Sequence, residues 1–273
     1  MKGLGDNIYQ RAFIRQLGDV QLETPWPELY EDLPGVSFLK MSTPLRTQAK
    51  NLARQPADRW SSPEGGSSCR VHYGKEGIFP GMERCFGIKP GVMDLPDFGP
   101  PLVSGRYALV RPVTLRREWP AAARNPLPEY VAEAAAVLRE CGFTVVSVAD
   151  LVAGEEEPVG DLPEADVVCH RGELSVKELL GLVQGAAVVV GGIGWLLPAA
   201  IAAGVHGWFI CGGQGGYNAP GNLTHESMNL NRVHFAVPDH FCMCTQREHS
   251  CDKRIASHRS QFERWLRETG VVA

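Results

Sequence analysis

The sequence predicts an α/β protein made of two halves, each with a parallel sheet. Short β-branched runs alternate with helical segments, and glycine turns join several strands to the helices that follow. The length of 273 residues suits two units of roughly 100–150 residues each. Hydrophobic residues make up 44% of the chain, enough for two cores.

The first element is a glycine turn entering a helix. Gly3, Gly5 and Asp6 precede Ile8, Phe13, Ile14 and Leu17, which repeat near helical spacing. Extended segments follow at Val20–Glu23 and Val36–Leu39, separated by a loop around Pro25, Trp26 and Pro27. Residues 55–68 are rich in Pro, Ser and Gly and predict a mobile loop. The Pro- and Gly-rich stretch 89–105 reads as a linker, which sets a first domain at 1–100 and a second at 101–254.

In the second half, strands are predicted at 107–110, 143–148, 166–169, 187–190 and 208–210. Helices are predicted at 129–140, from Ser175 with Glu178 three residues on in a capping-box pattern, and at 198–203. Alternation at this spacing implies βαβ units and a doubly wound sheet. Ile255, Phe262, Trp265 and Leu266 share one helical face in the tail, 255–273, which is expected to pack back across the domain junction.

No apolar run approaches the ~18 residues that span a bilayer. No charged-then-apolar leader opens the chain, so a cytoplasmic protein without a membrane partner is expected. The eight cysteines are then expected as reduced thiols or metal ligands. Net charge is −4, which argues against wholesale coating of nucleic acid. Residues 40–89, however, hold nine Lys or Arg against four acids. Within them Arg46, Gln48, Lys50, Asn51 and Lys75, with Trp60 and His72-Tyr73, form a candidate acceptor surface for phosphates and a displaced base. A solvated loop face is the alternative.

Two glycine loops carry the strongest chemical signal. Gly191-Gly192-Ile193-Gly194-Trp195 joins an apolar strand to a helix, and Gly212-Gly213-Gln214 follows the next strand. Glycines allow close backbone approach, and a helix N-terminus offers amides and a positive dipole to phosphate. The pair therefore predicts a diphosphate site at the carboxyl ends of parallel strands, although tight βα turns need glycine in any case. Arg111 and Arg116 follow the first strand of the second half and could grip the diphosphate in a bidentate manner. No Asp-x-Asp motif occurs, so helix dipoles and arginines are expected to stabilise a leaving nucleotide. Cys242, Cys244, His249 and Cys251 follow a Cys-x-Cys-x4-His-x-Cys pattern, a donor set suited to structural zinc, with His240 or Cys211 as substitute ligands.

Gly3-Leu4-Gly5-Asp6-Asn7-Ile8 resembles the Gly-Asp-x entry of the heptosyltransferase-like glycosyltransferases (glycosyltransferase family 9), which have the GT-B fold of two Rossmann-type domains facing a cleft. Val110-Arg111-Pro112 is similar to the strand end that opens their donor domain. Gly172 to Leu179 resembles their Gly-x-x-Ser-x-x-Glu-Leu helix start, and Ala187 to Ala203 their diphosphate-holding strand–turn–helix. The resemblance implies that Asp6 is the general base facing the acceptor hydroxyl; an N-cap role is the alternative, with Glu23 and Glu28 as substitute bases.

The family pattern Asp-Thr-Gly-x-x-His gives way here to Gly192-Ile193-Gly194-Trp195-Leu196-Leu197. This implies a sugar nucleotide other than a heptose donor. The family's first strand, expected before Gly3, is not represented. Compact members of this kind resemble phage enzymes that glycosylate hydroxymethylated pyrimidines in DNA. The expectation is thus an inverting glycosyltransferase, metal-independent in its chemistry, moving sugar from a UDP-sugar to 5-hydroxymethylpyrimidine, best read as hydroxymethylcytosine, in phage DNA. A surface glycan or lipopolysaccharide-type saccharide is the alternative acceptor. A zinc-stabilised, non-catalytic nucleotide- or nucleic-acid-binding module, or a sugar-nucleotide epimerase, is the alternative class.

Overall fold

The computed structural model describes residues 3–73 and 77–272. The first half contains α1 (Leu4–Ile14), β1 (Val20–Glu23), β2 (Val36–Leu39), α2 (Arg46–Ala53) and α3 (Ile78–Phe86). The second half runs β3 (Tyr107–Arg111), β4 (Thr114–Arg116), α4 (Pro128–Glu140), β5 (Thr144–Val148), β6 (Glu156–Pro158), β7 (Val167–Cys169), α5 (Val176–Gly185) and β8 (Val188–Gly192). It continues with α6 (Leu196–Ala203), β9 (His206–Ile210), α7 (Gly215–Asn218), α8 (Pro220–Leu223), β10 (Val233–Ala236) and α9 (His258–Glu268).

The second half is a doubly wound six-stranded sheet of order β10-β9-β8-β3-β5-β7, with every pairing parallel. Its central strands read as apolar runs because both faces are covered: Tyr107 to Val110 and Val188 to Val190 are buried. Winding changes direction between β3 and β8, which places a crevice at their carboxyl ends. The capping box of α5 forms as its spacing predicts. Ser175 Oγ accepts from the Glu178 amide at 3.2 Å, and the Glu178 carboxylate accepts from the Ser175 amide at 2.7 Å.

The first half is pared down. Its sheet has two parallel strands, β1 and β2. One apolar cluster runs from Ile8, Phe13, Trp26 and Phe79 into Leu180, Leu197 and Phe209, so a shared core spans residue 100. Across the halves α1 packs directly on α6. A Cβ on Gly5 would lie 3.0 Å from the Trp195 Cα, so any larger residue there would push the two helices apart.

Two expectations give way, the packing of the tail helix and the reduced state of all the cysteines. The tail helix does not return across the junction: Phe262, Trp265 and Leu266 pack with Val131, Leu138 and Trp208 inside the second half. The loop 55–68 includes a helical turn at Ala57–Arg59, and just beyond it Cys69 is joined to Cys85 in a disulfide. The two Cα atoms lie 6.1 Å apart, within bonding range, although the residues are 16 positions apart in sequence. A fully reduced set of cysteines is therefore not what the structure holds. No helix among the described residues is long and apolar enough to cross a membrane.

The outer face of the sheet hides a titration. His258 is 1% exposed, with Nδ1 at 2.6 Å from the Glu133 carboxylate and Nε2 at 3.1 Å from Trp208 Nε1. The indole only donates, so Nε2 must accept and the ring is neutral, its Nδ1 proton directed at Glu133. Burial lowers the His258 pKa, with Glu133 opposing. The unfolded chain then takes up a proton below about pH 6.5 that the folded chain resists, and stability falls as pH drops from there towards the folded pKa. His170, His206 and His234 are lowered by burial as well and act in the same direction. Urea unfolding at pH 7.5 and 5.5 should show a loss on acidification that is smaller in His258→Gln. An equal loss in both proteins would remove His258 from this account.

Candidate active site

A cavity of about 630 Å³ opens at the carboxyl ends of β3 and β8, between the two halves. Both α1 and α6 begin on its wall, at Gly3–Leu4 and Gly194–Trp195. The first amides of a helix have no intrahelical partner, so two positive helix ends converge here.

Asp6 lines this cavity. It is not the N-cap of α1 but the third residue of its first turn, and its carboxylate accepts from the Gly3 amide at 3.2 Å. Burial raises its pKa, opposed by the Gly3 amide and by a hydrogen bond with Tyr73. A desolvated carboxylate with a raised pKa is a stronger base than one in water. Of the substitute bases, Glu28 is buried beneath the cavity, where it accepts from Asn51 and Gln55.

Arginines share the cavity wall with Asp6. Arg111 ends β3, and a Cβ on Gly194 would lie 3.2 Å from its Nη1, so glycine there leaves the guanidinium room. Its pKa is pushed down to about 10 by burial and then by repulsion from Arg116 and Arg124, with Glu156 opposing. Arg124 is lowered for the same reasons, burial first and then Arg116. Its Nε has no hydrogen-bond partner among the described residues. Glu156 is 1% exposed and sits 2.7 Å from Arg116 Nε, 3.2 Å from Arg46 Nη2 and 4.0 Å from Arg111 Nη2, while Thr114 donates to it at 2.8 Å. One carboxylate thus faces three guanidiniums, with Arg124 beyond it. An anion between Arg111 and Arg124 would offset their mutual repulsion.

Among the residues the sequence singled out, Asp6, Arg111, Arg116, Ile193, Gly194 and Trp195 meet on the cavity wall. Gly191 and Gly192 lie behind it, where their missing side chains let Arg111, Leu196 and Pro126 pack close. Gly212, Gly213 and Gln214 stand off the wall. A Cβ on Gly212 would strike the Arg124–Asn125 backbone, and one on Gly213 would strike Cys251. These glycines serve close backbone packing here.

Gln48, Lys50 and Asn51 of α2 also line the cavity. Their polar groups are engaged: Lys50 pairs with Asp150 at 3.1 Å, Asn51 donates to the Pro25 carbonyl at 2.8 Å, and Gln48 accepts from Thr43 at 2.7 Å. Arg46 pairs with Asp150 at 2.9 Å as well as with Glu156. Arg54, one further turn along, donates to the carbonyls of Leu174 and Gly172 at 2.7 and 3.0 Å. Arg46, Lys50 and Arg54 recur every four residues, so one basic face of α2 fastens the first half to the second. Lys75 lies outside the described residues.

Cys242, Cys244, His249 and Cys251 come together, with their donor atoms all within 4.8 Å of one another. Two sulfurs at ~2.3 Å from a tetrahedral metal stand about 3.8 Å apart. Here Cys244 and Cys251 sulfurs are 3.7 Å apart, and His249 Nδ1 lies 3.6 and 3.3 Å from the sulfurs of Cys242 and Cys251. The Gln214 amide is hydrogen-bonded to the sulfurs of Cys244 and Cys251. Neither Cys211 nor His240 joins the cluster.

Sequence reasoning missed Arg124, Glu156 and the contact of Tyr73 with Asp6. Arg124 lies in an irregular loop, and Glu156 sits on the short antiparallel pair β4–β6; neither follows a motif.

No protein-family model matches the sequence, and a search of curated proteins finds no match. Solved structures do match in fold. The heptosyltransferase TibC of enterotoxigenic E. coli, an iron-containing dodecamer in complex with ADP-D-β-D-heptose, superposes with a TM-score of 0.61 at 14% identity, over 97% of this chain and 74% of that one. A family 9 glycosyl transferase from Veillonella parvula gives 0.54 at 11% identity, over 98% and 94% of the two chains. The ADP-heptose lipopolysaccharide heptosyltransferase II of E. coli gives 0.52 at 13% identity, over 97% and 96%. The cleft between a reduced first half and a doubly wound second half is therefore that of a GT-B fold, shared with these glycosyltransferases.

Proposed function

We propose that this chain is a glycosyltransferase that takes a sugar from a nucleotide-diphosphate donor and passes it to a saccharide hydroxyl. The observation that carries the reading is the convergence of the Asp6 carboxylate, Arg111, Arg124 and the start of α6 on one cavity at the sheet's switch point. The donor diphosphate would lie against the α6 amides and the two arginines. Asp6 would take the proton of the acceptor hydroxyl as its oxygen attacks the anomeric carbon. The bond from that carbon to the diphosphate oxygen breaks, and the departing charge is received by Arg111, Arg124 and the helix end. A single displacement of this kind inverts the anomeric centre.

A saccharide acceptor is favoured over hydroxymethylated DNA. The fold-level neighbours include lipopolysaccharide heptosyltransferase II, and two of the basic groups offered for DNA, Arg46 and Lys50, are committed to Asp150 and Glu156. The Cys242, Cys244, His249 and Cys251 set fits a tetrahedral thiophilic metal, zinc or iron, in a structural role; all four positions of such a metal would be filled by protein.

The test is incubation with UDP- and ADP-sugars and either oligosaccharide or hydroxymethylated DNA, read by mass spectrometry. Transfer to saccharide is expected. Transfer to DNA alone would replace the acceptor assignment, and binding of every donor with no turnover would make the chain a nucleotide-binding module.

A further inference from the structure

The cysteine hairpin does not line the cavity, yet it grips the segment that does. Residues 121–125 carry Arg124 and Asn125 to the cavity wall and belong to no helix or strand. The Ala123 amide donates to the Arg247 carbonyl at 2.9 Å, and the Ala123 carbonyl accepts from the Gly213 amide at 2.7 Å. Lys253 Nζ donates to the Ala122 carbonyl at 2.8 Å. Arg247 lies within the ligand run 242–251, and Lys253 lies two residues beyond it. The Arg247 guanidinium also stacks 4.6 Å from the ring centroid of Trp119, another residue of the cavity wall.

Gly213 is the spacer of this assembly. Its missing side chain leaves it pressed between Cys251 on one side and Ala123 on the other, and Gly212 is pressed likewise against Arg124 and Asn125. Cys251, Gly213 and Ala123 therefore pack close together, with no room for a side chain on Gly213. The hairpin itself has no regular secondary structure over 241–251. Backbone bonds tie the run to its surroundings at Cys242, Cys244 and Arg247, and four ligands fixed to one ion would remove the remaining loop freedom.

We propose that metal occupancy of the Cys242, Cys244, His249 and Cys251 cluster fixes the position of segment 121–125, and with it Arg124, so that a structural metal organises the anion site. The consequence for nucleotide affinity rests on the donor-site reading above; the positioning itself does not.

The whole chain would be stripped with a chelator and reloaded with zinc or iron(II). Hydrogen exchange at the Ala123 and Gly213 amides is the direct readout, with the amides of β3 and β5 as internal reference. Stripping should speed exchange at Ala123 at least ten-fold while β3 and β5 stay protected, and reloading should reverse it. Affinity for UDP and ADP, measured by calorimetry, should fall ten-fold or more in the stripped protein. Lys253→Ala keeps all four ligands and should weaken nucleotide binding several-fold at full metal content. Equal exchange at Ala123 in both forms, or a chain that retains no metal, overturns the positioning. Metal-sensitive exchange with no nucleotide bound in either form supports the positioning and overturns the donor assignment alone.

Discussion

Asp6→Asn should fold, bind the donor nucleotide and lose about 10²–10⁴-fold in transfer rate, the usual worth of a general base. Asparagine keeps the side chain's size. Its oxygen can still accept from the Gly3 amide, so the first turn of α1 keeps the bond that Asp6 makes at 3.2 Å. What disappears is the capacity to take a proton. Burial raises the Asp6 pKa, so the acidic limb of the pH–rate profile should lie above the ordinary aspartate range, with activity rising as the carboxyl ionises. Initial rates and melting temperature are measured on the same preparations. A large fall in melting temperature together with the lost rate would assign Asp6 to the helix turn alone, and a near wild-type rate would remove it from the chemistry.

Arg124→Ala should weaken nucleoside diphosphate binding by about 30-fold or more, since truncating one partner of a buried charge pair costs about 2–5 kcal/mol. The same change should leave the melting temperature unchanged or raise it. Arg124 is held near Arg116, burial and then the Arg116 charge lower its pKa with Asp6 opposing, and its Nε has no hydrogen-bond partner among the described residues. A residue kept at the expense of stability and repaid only when an anion arrives shows opposite signs in the two measurements. Arg124→Lys should recover part of the affinity, because it restores charge but not the planar fork. Calorimetry with UDP and ADP beside thermal unfolding checks this. Undiminished affinity, or a destabilised fold with normal affinity, would show that Arg124 is a structural residue.

Local chemistry was legible in the sequence. The apolar runs at 107–110 and 187–190 became the central strands, and Ser175 with Glu178 made its reciprocal cap, because each depends on neighbours within a few residues. Gly3-x-Gly5-Asp6 identified a helix start bearing a carboxylate, and the spacing of Cys242, Cys244, His249 and Cys251 marked a cluster that the fold closes to within 4.8 Å. The elements β4, β6, α2 and α3 were missed: β4 and β6 have three residues each, α2 is polar, and α3 carries Pro80 and Gly81, which read as a break.

The pairing of charges lay beyond the sequence. Lys40 to Lys89 shows a local basic excess, but whether it faces a polyanion depends on Asp150 and Glu156, about a hundred residues away in the chain. The disulfide of Cys69 with Cys85 and the meeting of Arg124 with Asp6 are likewise long-range events. The second glycine loop has the composition of a phosphate turn and the position of a spacer beneath the cysteine hairpin. The sequence alone determined the central strands, the longer helices and the tight turns, since those follow from backbone freedom and side-chain periodicity over a few residues. Only the tertiary structure decided which charges are neutralised, which glycines meet a ligand and which meet another backbone, because electrostatic pairing and close packing depend on distance in space, not on distance along the chain.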